Sequence, residues 1–221
     1  MSETAALRRL STPRAAGLAG VVFAVLFSTS LALLRSVTPE DPFAGAPWEA
    51  SGGTRIRIAL SLMPFAGIAF LWFIGVIRDQ LGELEDRFFA SVFLGSGLLF
   101  LAMVFVSMAV AGALLAGISA GEGHLYAGDT VSFGRAVMLQ VGNVYALRMA
   151  GVFMISLGTI WLRTGAMPRW LAAATYLLAA VLLIVINLSL WIALVFPAWV
   201  LAVSVLILVR QRRSAAGRTA G

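Results

Sequence analysis

Long apolar stretches, separated by short segments that carry most of the charges, run through the whole chain and limit what it can fold into. Hydrophobic residues make up 61% of the 221 residues and charged residues 12%, and the mean hydropathy is +0.97. A water-soluble core of this size does not bury so much apolar surface. A helix that crosses a bilayer needs roughly 20 apolar residues, and the stretches reach that length. The sequence therefore predicts an all-α integral membrane protein.

Six stretches are long enough to be transmembrane helices. Their boundaries fall at charges, prolines or aromatic residues of the kind found at membrane interfaces. The last two form one block of about 40 residues, which as a single helix would be twice the membrane thickness, so we expect a turn at Asn187, Leu188 and Ser189. The predicted spans of this single transmembrane domain, residues 1–221, are 17–34, 56–77, 88–118, 136–162, 170–188 and 191–209.

Arginines are concentrated in alternate segments between the spans. The chain has no lysine, and its 16 basic residues against 10 acidic ones give a formal net charge of +6. Because basic residues are enriched on the cytoplasmic side, we expect both termini there, with tails 1–14 and 210–221. These arginines flank apolar spans, so anionic lipid headgroups are their expected partners and nucleic acid is not. They are Arg8, Arg9, Arg14, Arg78, Arg87, Arg163, Arg169, Arg210, Arg212, Arg213 and Arg218.

The residue types most used in catalysis and metal binding are scarce. The chain has no cysteine, and His124 is its one histidine. Thiolate chemistry is therefore excluded, and a lone histidine in a glycine-rich loop lacks the spacing of a zinc site. The absence of lysine also removes Schiff-base chemistry and a P-loop. We expect no metal, no cofactor and no catalytic residue, and an intramembrane enzyme is the third of three function hypotheses.

Arg148 falls inside the fourth predicted span rather than at its edge. The 14 residues from Met149 to Leu162 would make about 21 Å of helix, too short to cross, so the helix should begin earlier and include Arg148. A charge at this depth either faces a partner or a wet cavity, or lifts its head to the headgroups on its flexible stem. The polar residues expected to complete a binding site with Arg148 are Tyr145, Asn143, Gln140, Asn187 and Asp129.

Two further function hypotheses follow from these residues. The first is a binding or transport module for a lipid or a small anionic molecule, with its site in the outer half near Arg148. The second is a structural or accessory subunit that packs against a second copy or another membrane protein through small residues at four-residue spacing. Ala16, Gly20 and Ala24 in the first span have this spacing. The five spans other than the fourth, which holds Arg148, contain no Asp or Glu, and this disfavours a carboxylate proton relay.

A short inner turn joins the fourth and fifth spans. In residues 163–171, RTGAMPRWL, Gly165 should end one helix and Pro168 should start the next. With the apolar hairpin that follows, this arrangement resembles bacterial integral membrane families known only as domains of unknown function. The resemblance covers the last third of the chain. It implies a multi-pass protein of the bacterial plasma (inner) membrane and assigns no active-site residue.

Overall fold

The computed structural model describes residues 13–38, 53–81, 87–119, 128–165, 167–184 and 190–219. Within these ranges the chain is helical apart from short turns, so the predicted all-α class is confirmed. The elements, in chain order, are α1 Pro13–Arg35, α2 Gly53–Leu81, α3 Arg87–Ser119, α4 Gly128–Leu139, a π-helical segment Gln140–Ala146, α5 Leu147–Thr164, α6 Arg169–Ile184, a 3₁₀ segment Leu190–Leu194 and α7 Val195–Thr219.

Five helical stretches in the described part of the chain are long and apolar enough to cross a membrane. They are Arg14–Arg35, Gly53–Asp79, Phe88–Ser119, Asp129–Thr164 and Trp191–Arg212. The helix at the predicted fifth span, Arg169–Ile184, is apolar but shorter. The fourth stretch begins before the predicted position 136 because α4, the π-helical segment and α5 form one continuous helix. The number of six spans remains a prediction.

The helices pack side by side as a bundle. Helix α1 lies along both α2 and α7, while α3 packs against α2 and α5, and α5 packs against α6. Gly165 ends α5 in the left-handed conformation with φ of 66°, which confirms the predicted turn before α6. The end of the bundle where α1 ends and α2 begins is called the Arg35 end, and the end where α5 ends is called the Arg163 end.

Aromatic rings fill the middle of the bundle. Phe70 on α2 lies at the centre of this group, at ring-centroid separations of 4.7–6.3 Å from five other phenylalanines. These distances suit offset and edge-on ring pairs, which attract each other beyond simple burial. All six rings are at most 1% exposed, the five neighbours being Phe23, Phe73, Phe100, Phe153 and Phe196. The bundle is therefore solid at this level.

Helices α1 and α7 are in tight contact at Gly20. A Cβ added there would overlap Ser204 Oγ and would lie 2.8 Å from Phe73 Cδ2. Ala16 and Ala24, on the same face of α1, are also buried. The small residues of α1 therefore pack inside this molecule, and this face is not available to a second copy.

A second, smaller apolar cluster lies at the Arg35 end, separate from the main core. It joins the end of α1, the start of α2 and the ends of α3 and α4, and its buried members are Leu34, Ile56, Ala59, Ala111, Leu114, Leu115, Met138 and Leu139. Ser30 Oγ on α1 donates a hydrogen bond of 2.7 Å to Ala59 O on α2, which fixes the two helices at this level. The site described next lies where this cluster meets the main core.

Candidate functional site

Arg35 is the last residue of α1, and its side chain is turned into the protein. The final carbonyls of α1 have other donors: Ser36 Oγ donates to Leu33 O at 2.8 Å, and Thr38 Oγ1 donates to Leu34 O at 2.8 Å. These hydroxyls replace the basic side chain that often caps a helix C-terminus. The guanidinium of Arg35 is therefore free for other contacts, and the residue is only 9% exposed.

The guanidinium of Arg35 is only partly satisfied. Its Nη2 donates a hydrogen bond to Asn143 Oδ1. Its Nε and Nη1 are buried without a hydrogen-bond partner among the described residues. The carboxylates in the described part of the chain are Asp79 and Asp129, and both are exposed. A buried charge with one neutral partner is costly, by several kcal/mol in typical cases, which indicates a site that a counter-ion would complete.

A cavity of about 30 Å³ lies beside this guanidinium. Its polar lining comes from Arg35, Ser107 and Asn143, and the other described lining residues are Phe27, Leu31, Leu34, Phe100, Val104, Met108, Met138, Leu139, Gly142, Leu147 and Ala193. A single water needs about 10–15 Å³ of such cavity space. The space therefore suits one or two waters or a small anion, and it is too small for a lipid headgroup.

A π-helical turn positions Asn143 against α1. Gly142 brings this turn so close to α3 that a Cβ on it would lie 2.9 Å from Ser107 Oγ. Ser107 Oγ in turn donates to Met138 O at 2.9 Å. A π turn adds one residue to an α-helix and is frequent at functional sites. The added residue rotates the following side chains by about 100° relative to an uninterrupted α-helix.

The structure brings one of the six predicted site residues into this cluster. Asn143 lies there, and its partner is Arg35 rather than Arg148. Asn187 lies outside the described residues. The remaining four are exposed and do not line the cavity: Gln140, Tyr145, Arg148 and Asp129. The exposed position of Arg148 agrees with the second of the two interpretations given above, in which its long side chain carries the charge towards the headgroups.

Sequence reasoning missed Arg35 as a site residue. It ends an apolar stretch and precedes Ser36 and Pro39, which is a position typical of an arginine at a membrane boundary. One signal was present in the sequence: Ser36 and Thr38 can cap the end of α1 without help from the arginine. An arginine that is not needed as a cap can turn inward.

Two helical stretches give the same distance between the site and the opposite end of the bundle. Asn143 lies 20 residues before Arg163 (163 − 143), and Ser107 lies 20 residues after Arg87 (107 − 87). Each distance corresponds to about 30 Å of helix, which is the thickness of the hydrocarbon core. The Arg35 site therefore lies about 30 Å along the bundle from the level of Arg87 and Arg163.

Within the described residues, no group of three or more His, Cys, Asp or Glu side chains could hold a metal ion. Comparison with protein-family models, with curated proteins and with solved structures finds no match to this chain. Function is therefore inferred from the geometry of the site.

Proposed function

We propose that this protein is a multi-pass membrane protein that binds a small anion, or one small anionic group of a larger ligand, at Arg35. The observation that supports this is a guanidinium 9% exposed, with Nε and Nη1 lacking partners among the described residues, beside a cavity of about 30 Å³. An anion there would accept a charge-assisted hydrogen bond from Nε or from Nη1, and such bonds are the stronger kind. Halide and formate fit the cavity, whereas a phosphodiester headgroup does not.

Binding is better supported than passage across the membrane. The side of the cavity nearest the bundle centre is lined by Phe27 and Phe100, and their ring centroids are 5.8 Å apart. Below them the ring cluster around Phe70 fills the bundle. The alternative of a structural or accessory subunit has less support, because the small-residue face of α1 is used within the molecule.

The proposed orientation has six spans in a bacterial plasma membrane, with both termini in the cytoplasm and the Arg35 end outside. Support comes from the arginine distribution and from the resemblance of the last third of the chain. Because the chain lacks cysteine, single cysteines at Ser51, Ser119, Thr164 and Ser214 can be labelled with an impermeant reagent. We expect labelling of intact cells at positions 51 and 119 only. Reaction at Thr164 or Ser214 in sealed cells would contradict this orientation.

We expect added small anions to stabilise the purified protein through Arg35. In a buffer whose only anions are bulky sulfonates, chloride, bromide or formate should raise the unfolding temperature, and the rise should grow with the logarithm of the anion concentration above Kd. A ligand that binds only the folded state adds about 2.7 kcal/mol at 100 times its Kd. Arg35→Gln should abolish the rise, since an amide can still donate to Asn143 but carries no charge. The matched control is the exposed Arg148→Gln, which should keep the full response. Loss of the response in Arg148→Gln alone would refute the proposal.

A carboxylate side chain introduced at position 143 provides a second test of anion binding at Arg35. Asn143→Asp should supply the missing counter-ion, raise the free energy of unfolding by about 1.5 kcal/mol in the sulfonate buffer, and remove the response to added anions. Gln140→Glu introduces the same charge at an exposed neighbouring position and should do neither.

The chain has its own carboxylates near Arg35 in sequence. Glu40, Asp41 and Glu49 belong to segment 39–52, which lies outside the described residues. If one of them is the counter-ion, the wild-type protein will not respond to added anions. The triple variant Glu40→Gln, Asp41→Asn, Glu49→Gln will then acquire the response. That pair of results would overturn the proposal of a free anion.

A further inference from the structure

A groove runs along the outside of the bundle between α1 and α2, with a volume of about 500 Å³. Small residues form its floor and large apolar residues form its walls. Ala19 and Ala69 in the floor are 6% and 7% exposed. Leu18, Phe65 and Trp72 in the walls are each 62% exposed. The groove therefore follows from the difference in side-chain size between its floor and its walls.

The length of the groove matches one leaflet of a bilayer. On α1 it extends from Ala15 to Leu26. These 11 steps along the helix (26 − 15) correspond to about 17 Å, which is close to half of the roughly 30 Å hydrocarbon core. A helix of a second copy would cross the whole membrane and extend beyond the groove. A lipid acyl chain needs only one leaflet.

One end of the groove carries charges. Gly20 of α1 lies against Phe73 of α2, and Ser30 bonds to Ala59 further along, so the two helices run antiparallel in a known register. Arg14 lies six residues before Gly20 on α1, and Asp79 lies six residues after Phe73 on α2. Arg14 and Asp79 are therefore at the same level of the bundle. Arg14, Arg78 and Asp79 are exposed there and sum to one positive charge. The other end, between Leu26 and Phe65, is apolar.

We propose that this groove binds one phospholipid with a net negative headgroup, of the phosphatidylglycerol type, with an acyl chain in the groove and the phosphate beside Arg14. A chain-length apolar groove with a net positive charge at one end is complementary to such a molecule. The proposal shares the membrane location with the function proposed above, but it does not depend on the Arg35 site.

Native mass spectrometry of the full chain, released from bilayers of equal phosphatidylglycerol and phosphatidylcholine, tests the proposal. We expect one retained lipid per protein, mainly phosphatidylglycerol. Arg14→Gln should lower the preference for phosphatidylglycerol about fivefold, as expected for one arginine at an anionic surface, and its matched control is the exposed Arg212→Gln. Trp72→Ala should lower retention of both lipids. Trp170→Ala, at an equal 62% exposure elsewhere, should not.

Three results would overturn this assignment. One is equal retention of phosphatidylglycerol by wild type and Arg14→Gln. Another is wild-type retention of phosphatidylcholine as strong as that of phosphatidylglycerol. The third is a wild-type dimer that dissociates into monomers in the Trp72→Ala variant, which would assign the groove to a second copy of the chain. The anion response of the Arg14→Gln protein is a separate readout. It should be that of wild type, so a failure of the lipid proposal is distinguishable from a failure of the Arg35 proposal.

Discussion

Phe70→Ala is expected to lower the free energy of unfolding by about 3 kcal/mol, at the lower end of the range for buried phenylalanines. Phe70 is fully buried and contacts five other rings. In a membrane protein the unfolded helices remain in an apolar medium, so transfer from water contributes little. The cost comes instead from the cavity and from the lost dispersion between rings.

Reversible unfolding in mixed micelles measures this effect. The matched control is Phe133→Ala on α4, where the ring is 69% exposed and truncation should change the free energy of unfolding by about 0.5 kcal/mol or less. Equal losses in the two variants would mean that the ring cluster does not hold the bundle together.

Gly20→Ala is expected to destabilise the protein by about 2 kcal/mol, as overpacking of a tight contact does. The direction is informative because alanine in a helix is otherwise better than glycine by about 1 kcal/mol. At Gly20 the new Cβ overlaps Ser204 Oγ and approaches Phe73 Cδ2 at 2.8 Å. The control is Gly75→Ala on α2, where nothing lies within 4 Å of the added Cβ. This control should be neutral or slightly stabilising.

Ser204→Ala should restore part of the stability lost in Gly20→Ala. The Ser204 hydroxyl is buried and has no hydrogen-bond partner among the described residues, so its removal alone should cost little. In the double variant the overlap with Oγ is gone, while the close approach to Phe73 remains. Strictly additive losses would show that α1 and α7 do not meet at these two residues.

Hydropathy was sufficient to predict the fold class and most helices. The first predicted span, 17–34, lies within Pro13–Arg35, and the second, 56–77, lies within Gly53–Leu81. These spans could be predicted because an apolar run ending at charges fixes both the type and the length of a helix in a membrane. The fourth predicted span, 136–162, likewise lies within the continuous stretch from Gly128 to Thr164, which extends further towards the N-terminus.

The candidate site was predictable only in part. Asn143 was selected for its polarity, but its partner Arg35 was not. Two physical facts explain the miss. The π turn at Gln140–Ala146 changes which residues share a face, so a regular helical projection cannot relate Asn143 to Arg148. The inward turn of Arg35 also depends on packing between α1, α3 and the π-helical segment, residues far apart in the chain.

Anomalous diffraction from crystals of the protein grown in bromide tests the central claim most directly. We expect a bromide peak in the cavity of the wild-type protein, within hydrogen-bond distance of Arg35 Nε or Nη1. The same crystals of Arg35→Gln should show none there. A wild-type cavity without bromide, with a carboxylate of the chain itself on Arg35, would contradict the claim.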